Sequence, residues 1–303
     1  MSLFILDWNR LIRILYLTGL GMLLVSLPIF NVGMSISVFW MGGVWLLDFL
    51  NDAFGLKDPG RKFRQLRQNH WALLLLSIYA LHVLGLLYTT DFQYALKDLR
   101  IKVPLLILPF VVAAFPAISK KQFIRYTALF TVAVSFSALC SLFVYWGIVD
   151  RQFEDIREIT HLFVINVSHI RLSLMAALAV AFSAWLVLKT KWGRAFIIPL
   201  IGLLYFLWVV ESMTGFSVLF VTIAFYFFHL SISASTKKFK GVLIGAAAII
   251  IIGGTWIVGS AYQDYHDMAK EYDIENLPAK TALGNPYDHQ IENRQVENGH
   301  YVW

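Results

Sequence analysis

The sequence predicts an all-α, polytopic transmembrane helix bundle, and three observations carry that expectation. First, 58% of the 303 residues are hydrophobic and the mean hydropathy is +0.66. Soluble domains hold about 45–50% apolar residues. Second, only 15% of residues are charged, against roughly 25% in soluble chains. Third, the apolar runs are continuous rather than alternating, which excludes the inside–outside period of a membrane β-barrel.

A spanning helix needs about 20 apolar residues. Nine runs are candidates: 11–30, 32–50, 71–88, 103–117, 125–146, 170–188, 195–211, 215–232 and 241–260. Arg10 and Arg13 precede the first, and a second run follows after a minimal loop, so the first reads as a retained helix and not a cleaved signal. The fourth run is short and carries Pro104, Pro109 and Pro116. It is expected to be kinked or partly re-entrant, because proline removes a helical N–H. Ala246–Ala248 in the ninth run is a small-residue patch suited to helix packing.

The loops set the expected orientation. Lys57, Arg61, Lys62, Arg64 and Arg67 lie in 51–70, and Lys120, Lys121 and Arg125 in 118–125. Lys189, Lys191 and Arg194 lie in 189–194, and Lys237, Lys238 and Lys240 in 233–240. Every second loop is basic, and nine helices with a cytoplasmic N-terminus put all four on the cytoplasmic side. Residues 1–260 then form a transmembrane domain, and 261–303 a periplasmic segment that begins a larger extracytoplasmic loop. That tail is acidic, with Asp264, Asp267, Glu271, Asp273, Glu275, Asp288, Glu292 and Glu297 against Lys270, Lys280 and Arg294. The 147–169 loop mixes Asp150, Glu154, Asp155 and Glu158 with Arg151 and Arg157.

Several function classes are excluded. The net charge of +6 resides in short loops between apolar runs, as membrane topology requires, so it does not indicate nucleic-acid binding. Cys140 is the single cysteine, and no disulfide framework exists. His266, His289 and His300 match no zinc spacing. There is no phosphate-cradling glycine loop, no nucleotide fingerprint and no serine-centred elbow.

The informative stretch is Asp91-Phe-Gln-Tyr-Ala-Leu-Lys-Asp-Leu-Arg-Ile-Lys-Val-Pro104. It places Lys97, Arg100 and Lys102 on the outer side, where cations are scarce. Spaced three apart, Lys97 and Arg100 share one face of a short interfacial helix, with Phe92, Leu96, Leu99 and Val103 on the lipid face. Guanidinium bonds phosphate oxygens in bidentate fashion, so an anionic substrate is one reading. The other is anchoring: Asp98 and Lys102 are four apart and can pair, and Lys97 can snorkel to headgroups. The second candidate is Ser168-His-Ile-Arg-Leu-Ser173. Arg171 lies just inside an apolar run, where a charge is costly unless it faces a polar cavity or snorkels. His169 precedes it by two and falls on a different helical face. Asp48 is expected at an inner helix end facing water. His82 is expected mid-helix and isolated, bonding a neighbouring helix, with membership of a proton relay as the other reading. Glu211, Ser212 and Thr214 mark a helix boundary with capping hydroxyls.

Leu86-Leu-Tyr-Thr-Thr-Asp91, Leu99-Arg-Ile-Lys-Val-Pro-Leu-Leu-Ile-Leu-Pro109 and Ser168-His-Ile-Arg-Leu-Ser-Leu174 together resemble the O-antigen ligase / O-antigen polymerase family, in its Bacteroidetes-like form. Thr281-Ala-Leu-Gly-Asn-Pro-Tyr287 and Glu297-Asn-Gly-His-Tyr-Val-Trp303 resemble the start of that family's large periplasmic segment. The resemblance spans about residues 70–303. It implies a multi-pass glycosyltransferase of the bacterial inner membrane, contributing to lipopolysaccharide and polysaccharide biosynthesis in the cell envelope. Such an enzyme moves a glycan from undecaprenyl diphosphate to a lipid A-core or glycan acceptor on the periplasmic face, with no metal, nucleotide or other cofactor. By position, Arg100 or Lys102 takes the family's cationic loop after the third helix, and Arg171 the cation that opens the sixth, with Lys97 and His169 beside them as substrate-binding candidates. The family turn Ser-Arg-Thr-Gly reads Ser212-Met-Thr-Gly215 here. The resemblance also implies a further C-terminal part that holds the family's catalytic histidine, so no catalytic residue is assigned. Two other classes stand beside this reading: a transporter or flippase of a lipid-linked or anionic solute, and a non-catalytic membrane assembly subunit.

Overall fold

The computed structural model describes residues 7–54, 58, 60–151, 156–160, 167–232, 236–270, 295–297 and 300–302. Eleven α-helices occur among them: α1 Trp8–Ile29, α2 Asn31–Phe54, α3 Gly60–Gln68, α4 His70–Leu84, α5 Phe92–Ile101, α6 Pro104–Ala114, α7 Lys120–Tyr145, α8 His169–Lys189, α9 Ile197–Val210, α10 Met213–Ile232 and α11 Lys237–Lys270. A two-stranded antiparallel ribbon, β1 Gln295–Glu297 with β2 His300–Val302, pairs Val296 with Tyr301. The chain is an all-α multi-pass membrane protein: among the described residues, eight helical segments are long and apolar enough to cross a bilayer. It divides into two compact units, residues 1–212 and 213–303. The boundary expected at residue 260 falls inside α11, which continues to Lys270.

Helix starts follow from local chemistry. Asp7 accepts from Asn9 N at the head of α1, Asn69 from Ala72 N at α4, and Asp91 from Tyr94 N at α5. Ser119 and Gln122 form a reciprocal capping box at α7. The first unit packs in the manner of a membrane bundle. Small side chains line the interior of α7 and α8, including Ala133, Ser137, Ala138, Ser141, Ala176, Ala177 and Ser183. Large apolar ones such as Phe136, Leu139, Ile170, Leu178 and Leu188 face outward. Lipid is as apolar as leucine, so close backbone approach replaces hydrophobic burial as the packing force.

Cross-helix contacts order the first unit end to end. Trp40 Nε1 donates to the Leu15 carbonyl (3.0 Å) and Trp8 Nε1 to Asp48 Oδ1 (3.3 Å), so α1 and α2 are antiparallel. Tyr126 bonds the Leu17 carbonyl (2.8 Å) and Ser137 the Pro28 carbonyl (2.7 Å), so α7 runs parallel to α1. Ring contacts of Phe123 with Trp185 and of Phe130 with Phe182 make α8 antiparallel to α7. Three basic segments, around Arg61–Arg67, Lys120–Arg125 and Lys189–Arg194, therefore lie at the end where α1 begins. This is called the basic end below.

The fourth expected span differs from the sequence reading. In place of 103–117, α6 covers only 104–114, about 16 Å at 1.5 Å per residue, too short to cross by itself. It is one half of an interrupted element. Lys102 N still bonds the Asp98 carbonyl (3.1 Å), Ile107 N bonds the Val103 carbonyl (3.0 Å), and Val103 has helical backbone angles. The interruption sits where Pro104 has no N–H to offer the Arg100 carbonyl, which Val103 N approaches at 3.4 Å instead. α6 then returns to the basic end: Phe110 packs edge-on to Trp45 and Phe63, and Phe115 stacks on Tyr16. Together α5 and α6 complete the return that α4 requires.

Candidate functional site

Helix α5 lies at the end opposite the basic end, against the last turns of α4. Asp91 fixes its start, and its face toward α4 carries Tyr94, Ala95, Asp98 and Leu99. Leu99 thus packs on protein, whereas Phe92 and Leu96 are exposed as the lipid-face expectation requires. Lys97 and Arg100 are exposed, and neither has a side-chain hydrogen bond or ion pair among the described residues. Lys102 differs: its ammonium donates to Asp98 Oδ2 at 2.5 Å, the anchoring pair that the spacing allowed. The free positive charge of α5 therefore resides on Lys97 and Arg100. On the other side of α5 from these two cations, between α4 and α5, lies an open groove of about 390 Å³ lined by His82, Tyr88, Tyr94 and Asp98. His82 Nδ1 donates to the Ile78 carbonyl of its own helix (2.7 Å), not to a neighbouring helix as expected. The carbonyl can only accept, so Nδ1 is the donor in this bond.

Arg171 and His169 open α8 at the same end of the unit. Arg171 Nη1 donates to Asn31 Oδ1 (2.9 Å), and Nη2 meets Met34 Sδ (3.4 Å). The cation is thus held on the α1–α2 turn. His169 is half-buried and engaged. Both side-chain contacts of Arg171 are thus to the α1–α2 region and not to α5. The sequence candidates form two groups: Lys97, Arg100 and Lys102 on one helix, His169 and Arg171 at another helix start. Glu211 ends α9 with a left-handed backbone (φ 52°), and Met213 starts α10 and is exposed. Glu154, Asp155, His289 and residues 281–287 lie outside the described residues. Among the described residues no group of three metal-ligating side chains occurs.

The structure adds a charged cluster that sequence reading missed. Asp48, expected to face water, is buried at the end of α2. Its Oδ2 pairs with the Lys62 ammonium, its Oδ1 accepts from Trp8 Nε1, and Lys62 also reaches Asp52 at 3.5 Å. Arg61 closes the set on Asp52 at 3.3 Å. The available signal was the four-residue spacing of Asp48 and Asp52, which puts both acids on one face, followed by an Arg-Lys pair in the next helix.

Comparison with protein-family models, curated proteins and solved structures found no match.

Proposed function

We propose that this protein is an inner-membrane glycosyltransferase of the O-antigen ligase type, which holds a lipid-linked diphosphate at the end of the bundle opposite its basic loops. The positive-inside bias assigns the basic end to the cytoplasm, and α5 then stands on the periplasmic side. The observation that carries the reading is the unpaired Lys97–Arg100 face on α5. Cations at that level without an acid partner suit a phosphate-bearing ligand in the outer leaflet. Arg100 grips the diphosphate of an undecaprenyl-linked glycan, and Lys97 adds charge. Their attraction grows as the diphosphate leaves, which favours the transition state. Arg171 holds the α1–α2 turn and contributes charge to the same leaflet.

Proteoliposomes with a fluorescent undecaprenyl-diphosphate glycan and a lipid A-core acceptor test this. Arg100→Ala is expected to lower transfer by about 10²–10³, by analogy with the loss of one charge-stabilising donor. Lys102→Ala, which removes a cation already engaged by Asp98, is expected to cost much less. Equal losses for both, or wild-type transfer by Arg100→Ala, would defeat the assignment. The interruption at Pro104 favours a second reading as a transporter, since broken helices line many substrate paths. The same vesicles separate the two: labelled lipid changing leaflet without acceptor glycosylation is transport.

A further inference from the structure

A cavity of about 490 Å³ opens at the basic end, far from α5, and the proposed transfer chemistry makes no use of it. Its rim carries Arg10 and Arg13 from α1 and Arg61 from α3. Arg10 and Arg13 are three residues apart, so they project from one face of α1. Neither guanidinium has an ion pair or side-chain hydrogen bond among the described residues. The two acids in the wall are both occupied. Asp48 is held by Lys62 and Trp8, and Asp7 caps the first turn of α1 by accepting from Asn9 N. The inner wall is apolar, formed by Ile12, Phe115 and Pro116. A cationic rim over an apolar wall, at the membrane-facing end of spanning helices, is complementary to a phosphodiester with acyl-glycerol attached.

We propose that this cavity binds the phosphate of an anionic glycerophospholipid from the leaflet at the basic end, with Arg10 and Arg13 donating to its oxygens. The inference is independent of the transferase reading. Basic recesses between spanning helices hold anionic headgroups by the same charge-assisted bonds that guanidinium makes to any phosphate. The acids do not defeat it: Lys62 neutralises Asp48, and Asp7 alone leaves the Arg10 and Arg13 pair with an excess of positive charge.

Native mass spectrometry of the detergent-purified chain, titrated with dioleoylphosphatidylglycerol or dioleoylphosphatidylcholine, tests the site. Saturable retention of the anionic lipid over the zwitterionic one is expected. Each of Arg10→Gln and Arg13→Gln is expected to weaken it about fivefold, and the pair about 25-fold, at roughly 1 kcal/mol per cation. Lys120→Gln/Lys121→Gln removes exposed charge at the same end but outside the cavity, and is expected to change binding less than twofold. Equal loss in that control would reveal diffuse attraction and overturn the site. So would unchanged binding in the arginine variants, or lipid displacement by inorganic phosphate at equal concentration, which would make free phosphate the ligand. The single variants carry the test if the double variant does not purify.

Discussion

Lys62 is 2% exposed, yet its ammonium meets two carboxylates, and its chain neighbour Phe63 belongs to an aromatic group with Trp45, Phe49 and Phe110. Removing one member of a buried ion cluster leaves the others charged and desolvated, at a cost of about 3–5 kcal/mol. Lys62→Met is therefore expected to lower the melting temperature sharply in detergent. Asp48→Asn/Lys62→Met should recover part of the loss, because it removes the orphaned charge along with its partner. A double variant no more stable than the single one would show that the Asp48–Lys62 pair is not the coupled unit. A second residue-scale effect arises at Gly193, in the turn after α8. A Cβ there would sit 2.1 Å from the Leu186 carbonyl oxygen and 2.7 Å from Val187 Cα. These are backbone atoms and cannot swing aside, so Gly193→Ala is expected to destabilise by about 1–3 kcal/mol, read as an earlier unfolding transition. At the surface, the hydrogen bond from Arg64 holds the Asp58 carboxyl below its ordinary value. That contribution is complete above the ordinary carboxylate range and disappears as pH falls through the lowered value. It is small because both groups are solvated.

Among the elements, the α5–α6 break is the informative one. Pro104 stands in the first turn of α6, where a missing N–H is tolerated, so the interior-proline penalty of about 3 kcal/mol does not apply in full. The break instead holds Lys102 and Val103 in a tight turn, with Asp98 and Lys102 paired on its α5 side. Pro104→Ala supplies the N–H that the Arg100 carbonyl lacks. Slower amide exchange through Lys102–Leu105 is expected, and unchanged exchange would show that something other than proline sets the turn. The stretch 91–114 displays much of this in its residues: a capping Asp91, a mixed-charge segment, then an apolar run that opens on proline. The sequence reading missed only that both pieces belong to one return. The 3.6-residue period stops at the polar segment, and hydropathy cannot tell a loop from an interrupted helix. At the other extreme, α11 is 34 residues long, about 51 Å at 1.5 Å per residue, well beyond a hydrocarbon core of about 30 Å. Its last turns, from Gln263 onward, are polar and extend past the apolar window that ends at Ile257.

On the scale of the whole molecule, the first unit separates its charges by end. Three basic segments gather where α1 begins, and α5 with the start of α8 stands opposite. Substituted-cysteine labelling tests the arrangement after Cys140→Ser. Probes at Gln68, Lys120 and Lys191 are expected to react from one face of sealed vesicles, and probes at Thr90 and Val149 from the other. A mixed pattern within either set would break the end-to-end order derived from the Tyr126–Leu17 and Ser137–Pro28 bonds. Labelling of Lys120 from the periplasm would invert the bundle and remove the basis for placing Arg100 beside an outer-leaflet diphosphate.

Composition and run length alone determined that this chain crosses a membrane many times as helices, because covering some 30 Å of hydrocarbon demands long uninterrupted apolar segments that any reader can count. Spacing also identified Asp98–Lys102 as a possible pair, since residues four apart on a helix are neighbours wherever the helix lies. What joins residues distant in the chain was decided only by the tertiary fold. Asp48 found Lys62 because α3 folds back beneath α2, and Arg171 found Asn31 across 140 positions because α8 opens beside the α1–α2 turn. Which cations remain free to hold a ligand needed the structure as well: spacing allowed Lys102 a partner in Asp98, and the fold shows that pair formed while Arg100 stays exposed.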